Sequence, residues 1–182
     1  MPTPTGNLQS LALWLLLLPS LLAGCGYHNP NVLPSGQASE PVTIHAPVWS
    51  NATSEPGLEM RAHNAVNDWL AQSGRFIMVS SPEEARYLLE GEITSLRYPG
   101  FSYDRIDSVR SLGAILTASV SLKERATGQV LWSRGGLRLD ETYDLGGGNA
   151  QTDANKRQAL DQLVDNLGRE VYLRVIRTIK NL

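Results

Sequence analysis

Cys25 is the only thiol in the chain, and it follows Leu22-Ala23-Gly24 at the end of a leucine-rich run filling residues 11–22. That placement suits one piece of chemistry. Small residues before the cysteine let an extended backbone enter a peptidase cleft, and the thiolate is a nucleophile able to accept a diacylglyceryl group. The apolar run, about a dozen residues interrupted by Pro19 and Ser20, is shorter than the roughly 20 needed to cross a bilayer and matches an export-signal core. We therefore expect a lipoprotein signal peptide over 1–24, cleavage between Gly24 and Cys25, and diacylglyceryl and N-acyl (palmitate-type) chains on Cys25. One departure stands out: Met1 to Ser10 carries no Lys or Arg, whereas such regions are usually basic.

Two or three acyl chains anchor a protein stably, since each buried methylene contributes about 0.8 kcal/mol. Residue 26 is Gly and not the Asp that tends to retain lipoproteins in the inner membrane, so the expected location is the outer membrane, facing the periplasm. With one cysteine, a disulfide within one molecule is excluded.

The remaining residues offer little catalytic chemistry. His28, His45 and His63 fall in three different segments, with no pair at the four-residue spacing that lets two imidazoles share a metal from one helical face. The acidic run Asp140-Glu141-Thr142-Tyr143-Asp144 lacks the alternating ligands and distal Glu of a calcium loop and reads as a solvated hairpin end. Gly146 to Gly148 has no GK[ST] after it and reads as a loop, not a phosphate cradle. The 16 basic residues against 18 acidic ones, a net charge of −2, give no basic excess for nucleic acid. No enzyme, metal or cofactor beyond the lipid is expected. A binding or assembly role at a membrane remains.

The elements that must carry such a role begin after a Pro-, Asn- and Gly-rich tether over 25–39, whose roughly fifteen residues could extend some 50 Å. Residues 40–182 then suffice for one two-layer domain. Val42 to Trp49 alternates, with Val42, Ile44, Ala46 and Val48 on one face. A helix is expected from Pro56 to Ala71, with Leu58, Ala62, Val66 and Leu70 in its stripe and Gly74 beyond its end. Arg75 to Ser80 reads as a strand buried on both faces, Pro82 to Ala85 as a turn, and Tyr87 to Tyr98 as a longer strand. Leu112 to Lys123 alternates most clearly and pairs through Thr127-Gly128 with Gln129 to Leu139, where Gly135-Gly136 marks a bulge. Asp140 to Thr152 is a loop. Asp153 to Ile179 is a long helix, with Asp161 and Asp165 in its first half and Arg174, Arg177 and Lys180 near its end to suit the helix dipole. The predicted fold is α+β, a two-layer sandwich of two amphipathic helices on one face of a four- to five-stranded mixed sheet.

Several segments resemble the LPS-assembly lipoprotein family, LptE, in its divergent, non-enteric form. These are Cys25-Gly26-Tyr27-His28, Val42 to Asn51 with Glu55-Pro56-Gly57-Leu58, Ala85 to Ile93, and Ala118 to Trp132 with its Thr127-Gly128-Gln129-Val130-Leu131-Trp132 turn. The resemblance implies a plug that assembles with an outer-membrane β-barrel of the LptD type and helps deliver lipopolysaccharide to the outer leaflet. Because leucines before a glycine also occur in CsgG-like and LpoB-like lipoproteins, the alternative is a secretion subunit or a cell-wall synthase regulator. A lipopolysaccharide carrier needs cations to meet phosphates and acids. Charge alone nominates Arg105 and Arg110, in a long loop between the third and fourth strands, and Lys156 and Arg157 at the start of the last helix.

Overall fold

The clean alternation along Leu116 to Lys123 belongs to an inner strand of the sheet, paired on both sides. The computed structural model describes residues 42–103 and 109–180. They form β1 (Val42–His45), β2 (Ser50–Asn51), α1 (Leu58–Gln72), β3 (Phe76–Met78), a 3-10 turn (Pro82–Glu84), β4 (Tyr87–Arg97), β5 (Gly100–Tyr103), β6 (Val109–Glu124), β7 (Val130–Asp144) and α2 (Asn149–Lys180). On β6, Leu116, Ala118, Val120 and Leu122 are buried, opposite Leu96, Ile93, Gly91 and Leu89 of antiparallel β4.

The seven strands run along five lanes. β3 pairs with β1 and β1 with β4, all parallel, while β4, β6 and β7 pair antiparallel. β2 continues the lane of β1 beside β4, and β5 continues that of β4 beside β6: Arg97 opposes Ile115 and Gly100 opposes Leu112, the same register on either side of Tyr98-Pro99. The lanes are those expected from the sequence, with two interruptions, and the mixed sheet under two helices is the predicted fold.

The first interruption corrects the single strand read over Val42 to Trp49. His45 opposes Leu88 and Ser50 opposes Glu92, so this lane spends five steps where β4 spends four. One extra residue flips the facing of all that follow. Ala46 stays in the core, Val48 turns out to 47 % exposure, and Trp49 turns in.

β3 likewise departs from its reading as a doubly buried strand. It is an edge strand, with Phe76 in the core and Ile77 49 % exposed. The apolar run of four, Phe76 to Val79, cannot by itself distinguish a central strand from an edge. The loop expected over Asp140 to Thr152 is shorter: β7 continues to Asp144 and α2 already begins at Asn149. The acidic run is therefore strand, with Tyr143 buried and Glu141 accepting from Asn166 Nδ2 at 2.8 Å. The bulge stands where the glycines placed it: Ala118 opposes Leu137 but Val120 opposes Arg134, and Gly136 has a φ of 68°.

Both helices cover the dry face. α2 lies over β6 and β7, α1 lies against β3 and β2, and the helices pack together. The buried stripe of α1 is Leu58, Ala62, Val66 and Leu70, and that of α2 includes Leu160, Leu163, Leu167, Val171 and Val175. Of the charges read as suiting the helix dipole, Arg177 and Lys180 do occupy the last turn, but Asp161 and Asp165 lie too far from Asn149 to feel the helix end, since dipole effects fade within the first turn. They serve the helix contact instead. Asp161 Oδ1 sits 3.1 Å from Arg61 Nη2, and Asp165 Oδ1 accepts from Trp69 Nε1 at 2.9 Å.

Candidate functional site

At the end of the sandwich where β4 and β7 finish and α2 begins, four side chains from four segments converge. Glu55 comes from the turn before α1, Tyr98 from just past β4, Tyr143 from β7 and Lys156 from α2. Glu55 Oε2 accepts from Lys156 Nζ at 2.8 Å and from Tyr98 Oη at 3.0 Å. The Lys156 ammonium lies 4.7 Å from the centre of the Tyr98 ring, and the rings of Tyr98 and Tyr143 meet edge-on at 6.3 Å. The hydrogen bond from Lys156 holds the Glu55 carboxyl below the usual carboxylate range, against the opposing pull of burial. Glu55 in turn raises the Lys156 ammonium. Burial, reinforced by the bond to Glu55, pushes the Tyr98 phenol up to about 12. The arrangement pins the start of α2 to the end of the sheet.

Two of the nominated cations flank this cluster. Arg110 lies in β6, not in a loop, because the segment after Tyr98 adds β5 and β6 already starts at Val109. Its backbone carbonyl accepts from Leu145 N, and its side chain is exposed. Next to it Ser111 opposes Asp144, whose carbonyl accepts from Asn155 Nδ2 at 2.8 Å, which brings Arg110 to the same end as Lys156 and exposed Arg157. Arg110, Lys156 and Arg157 thus share one end of the domain, with the Lys156 charge committed to Glu55. Arg105, Gly24 and Cys25 lie outside the described residues.

His28 lies outside the described residues, and the two described histidines are used locally. His45 Nδ1 lies 3.0 Å from the Val79 carbonyl. His63 Nδ1 lies 3.2 Å from the Pro47 carbonyl, and its Nε2 lies 2.9 Å from Asn67 Nδ2, the pattern of a ring that donates from Nδ1 and accepts at Nε2. Among the described residues no group of three His, Cys, Asp or Glu could hold a metal, and no helix is long and apolar enough to cross a membrane.

Two further surfaces escaped the sequence reading. The uncovered face of the sheet carries a shallow trough of about 340 Å3, lined by Glu90, Glu92, Ser119, Ser121 and Ser133. Alternation announced its polarity, but not that five hydrophilic side chains from three strands would adjoin. Between β7 and α2 runs a groove of about 540 Å3 lined by Arg134, Arg138, Arg169 and Arg174. Nothing local signals this cluster, because only the packing of α2 along β7 joins the two pairs.

Solved structures share this architecture at low identity. Lipoprotein B from Nitrosomonas europaea is similar with a TM-score of 0.56 at 11% identity, over 79% of this chain and 88% of that one. A Caulobacter crescentus protein described as a lipoprotein gives 0.54 at 14% identity, over 74% and 91%. A Xanthomonas campestris protein gives 0.53 at 15%, over 77% and 91%. These likenesses establish the fold. No curated protein matches the chain. The lipopolysaccharide-assembly family LptE matches residues 42–175, from the first residue of β1 to the last buried residue of α2. The chain is thus a member of the LptE lipopolysaccharide-assembly family, a family of non-enzymatic lipoproteins.

Proposed function

We propose that this protein is an outer-membrane lipoprotein, held by acyl chains on Cys25, that sits as a plug in an LptD-type β-barrel and assists insertion of lipopolysaccharide into the outer leaflet. The observation that carries the reading is the LptE match across the described domain, 42–175. Physical character agrees with it. The lumen of an outer-membrane barrel is polar and is often filled by a plug. A domain with its main apolar cluster enclosed between helices and sheet, and a hydroxyl- and carboxylate-lined outer sheet face, suits such a lumen. The lipid supplies residence at the membrane, and the folded surface supplies choice of partner.

Extraction in mild detergent followed by affinity purification of the full chain tests the reading. The expected result is copurification of one large β-barrel protein, together with reduced surface lipopolysaccharide on depletion. Rings of this chain alone, or copurification with a cell-wall synthase and unaltered surface lipopolysaccharide, would overturn it. Cys25→Ser should move the protein out of the membrane fraction and abolish incorporation of labelled palmitate.

A further inference from the structure

The groove between β7 and α2 concentrates positive charge in a protein whose net charge is −2. Four guanidinium groups line it, Arg134 and Arg138 from the bulged edge strand and Arg169 and Arg174 from α2, with two carboxylates, Asp140 and Glu170. Four cations against two anions leave an excess of two positive charges. The carboxylates also have their own partners. Arg174 Nη2 lies 2.8 Å from Glu170 Oε1, one turn away on the same helix. Asp140 Oδ1 is 4.0 Å from Arg138 Nε, a loose and solvated pair. Arg134 and Arg169 have no ion pair among the described residues.

The groove is separate from the cluster around Lys156. Arg169 and Arg174 follow Lys156 by 13 and 18 residues, which at 1.5 Å per residue is about 20 and 27 Å along α2. Its size falls within the usual range of small-ligand sites, roughly 300–1,000 Å3. A single carboxylate would neutralise half of the excess, whereas a phosphomonoester, carrying up to two negative charges with three acceptor oxygens, would neutralise it fully. Planar guanidinium forks pair with phosphate oxygens through two parallel N–H···O bonds, which lysines could not reproduce.

We propose that the β7–α2 groove is a binding site for a phosphomonoester headgroup, with Arg134 and Arg169 as its principal contacts and Arg138 and Arg174 as supporting cations. The site stands or falls independently of the barrel-plug reading, since it follows from these side chains alone. Its phosphate could come from a phosphorylated sugar or from a glycerol phosphate, the headgroups of two kinds of membrane lipid.

The test titrates the full chain, in detergent, with glucosamine 1-phosphate and with glycerol 3-phosphate while following arginine Nε–H resonances. Saturable shifts at Arg134 and Arg169 are expected. Replacing these two residues together by Gln should weaken binding about tenfold, while Arg97→Gln with Arg177→Gln leaves it unchanged. Asp140→Asn with Glu170→Gln should tighten it about threefold, because two competing anions are lost. Preference for the sugar phosphate would assign the site to a glycolipid headgroup, and equal binding of the two would assign it to phosphomonoesters at large. No saturable binding, or binding that survives loss of Arg134 and Arg169, would overturn the proposal. Circular dichroism of each variant separates lost contacts from lost folding.

Discussion

Gly91 leaves the space that the indole of Trp49 occupies. A Cβ on Gly91 would overlap three carbons of the ring, and Trp49, only 3 % exposed, has no open side to retreat to. Overfilling a packed core typically costs about 1–3 kcal/mol. Gly91→Ala should therefore lower stability by that amount in urea denaturation. Trimming the ring by Trp49→Leu in the same chain should recover part of the loss. The double-mutant cycle is expected to give a coupling above about 0.5 kcal/mol, whereas additive losses would mean that the two residues do not compete for one space.

This pairing marks the boundary of what the sequence discloses. The dry face of β6, the two helix stripes, the hairpin at Thr127-Gly128 and the Gly135-Gly136 bulge follow from period and turn chemistry, which are local properties. The extra residue between His45 and Ser50 is not local, because the alternation of Val42, Ile44, Ala46 and Val48 continues smoothly through it. The shifted register seats the Trp49 ring against Gly91, which lies beyond a helix and two strands in the chain. The same distinction separates the candidate sites. Lys156 and Arg157 were legible as a charged pair, but Glu55 is 101 residues from Lys156, and the Arg134–Arg169 groove needs a strand and a helix side by side.

The adjacent glycines of the bulge should respond oppositely to alanine. Gly136 has a φ of 68°, a backbone region in which a Cβ costs about 1 kcal/mol, while Gly135 has an ordinary φ and open space around its Cα. Gly136→Ala is expected to lose about 1 kcal/mol and Gly135→Ala to stay within about 0.5 kcal/mol of the parent. Equal losses in thermal melts would mean that the bulge is not held by the left-handed conformation of Gly136.

Gly168 sets the separation of the two helices. A Cβ there would fall 2.7 Å from the Ala65 carbonyl oxygen and 2.7 Å from Trp69 Cδ1, and the backbone oxygen cannot swing away as a side-chain tip would. Alanine normally gains about 1 kcal/mol over glycine inside a helix. Gly168→Ala should nevertheless destabilise, because the helices must part and loosen Trp69 from Asp165. Gly168→Val should be worse by a further 1–2 kcal/mol or so. Tryptophan fluorescence would report the displacement directly, with a shift toward the unfolded spectrum as the Trp69 indole gains solvent.

The Glu55–Lys156 pair gives the domain a stability plateau with two edges. The Glu55 pKa is lowered on folding from an ordinary 4.5, chiefly by the hydrogen bond from Lys156, so its contribution is full above that value and disappears as pH falls through the folded pKa. The Lys156 pKa is raised from an ordinary 10.5, chiefly by Glu55, so its contribution is full below that value and disappears as pH rises through the folded pKa. The two side chains are 24% and 31% exposed, shielded enough for the pair to exceed a surface salt bridge. Glu55→Gln should cost about 1–2 kcal/mol at neutral pH, a drop in melting temperature of roughly 3–8 °C. The difference between parent and variant should stay level across neutral pH and shrink at both the acid and the alkaline extreme. Tyr98 sharpens the test, because its phenol donates to Glu55 only while protonated and its pKa rises from 10.0 to about 12 on folding, so its own contribution is full below 10.0 and is lost as pH rises toward 12. Tyr98→Phe should thus reduce the plateau height without moving its acid edge to higher pH by more than the loss of one donor to Glu55 allows. A difference between parent and Glu55→Gln that does not vary with pH would show that Glu55 acts through packing and not through its charge.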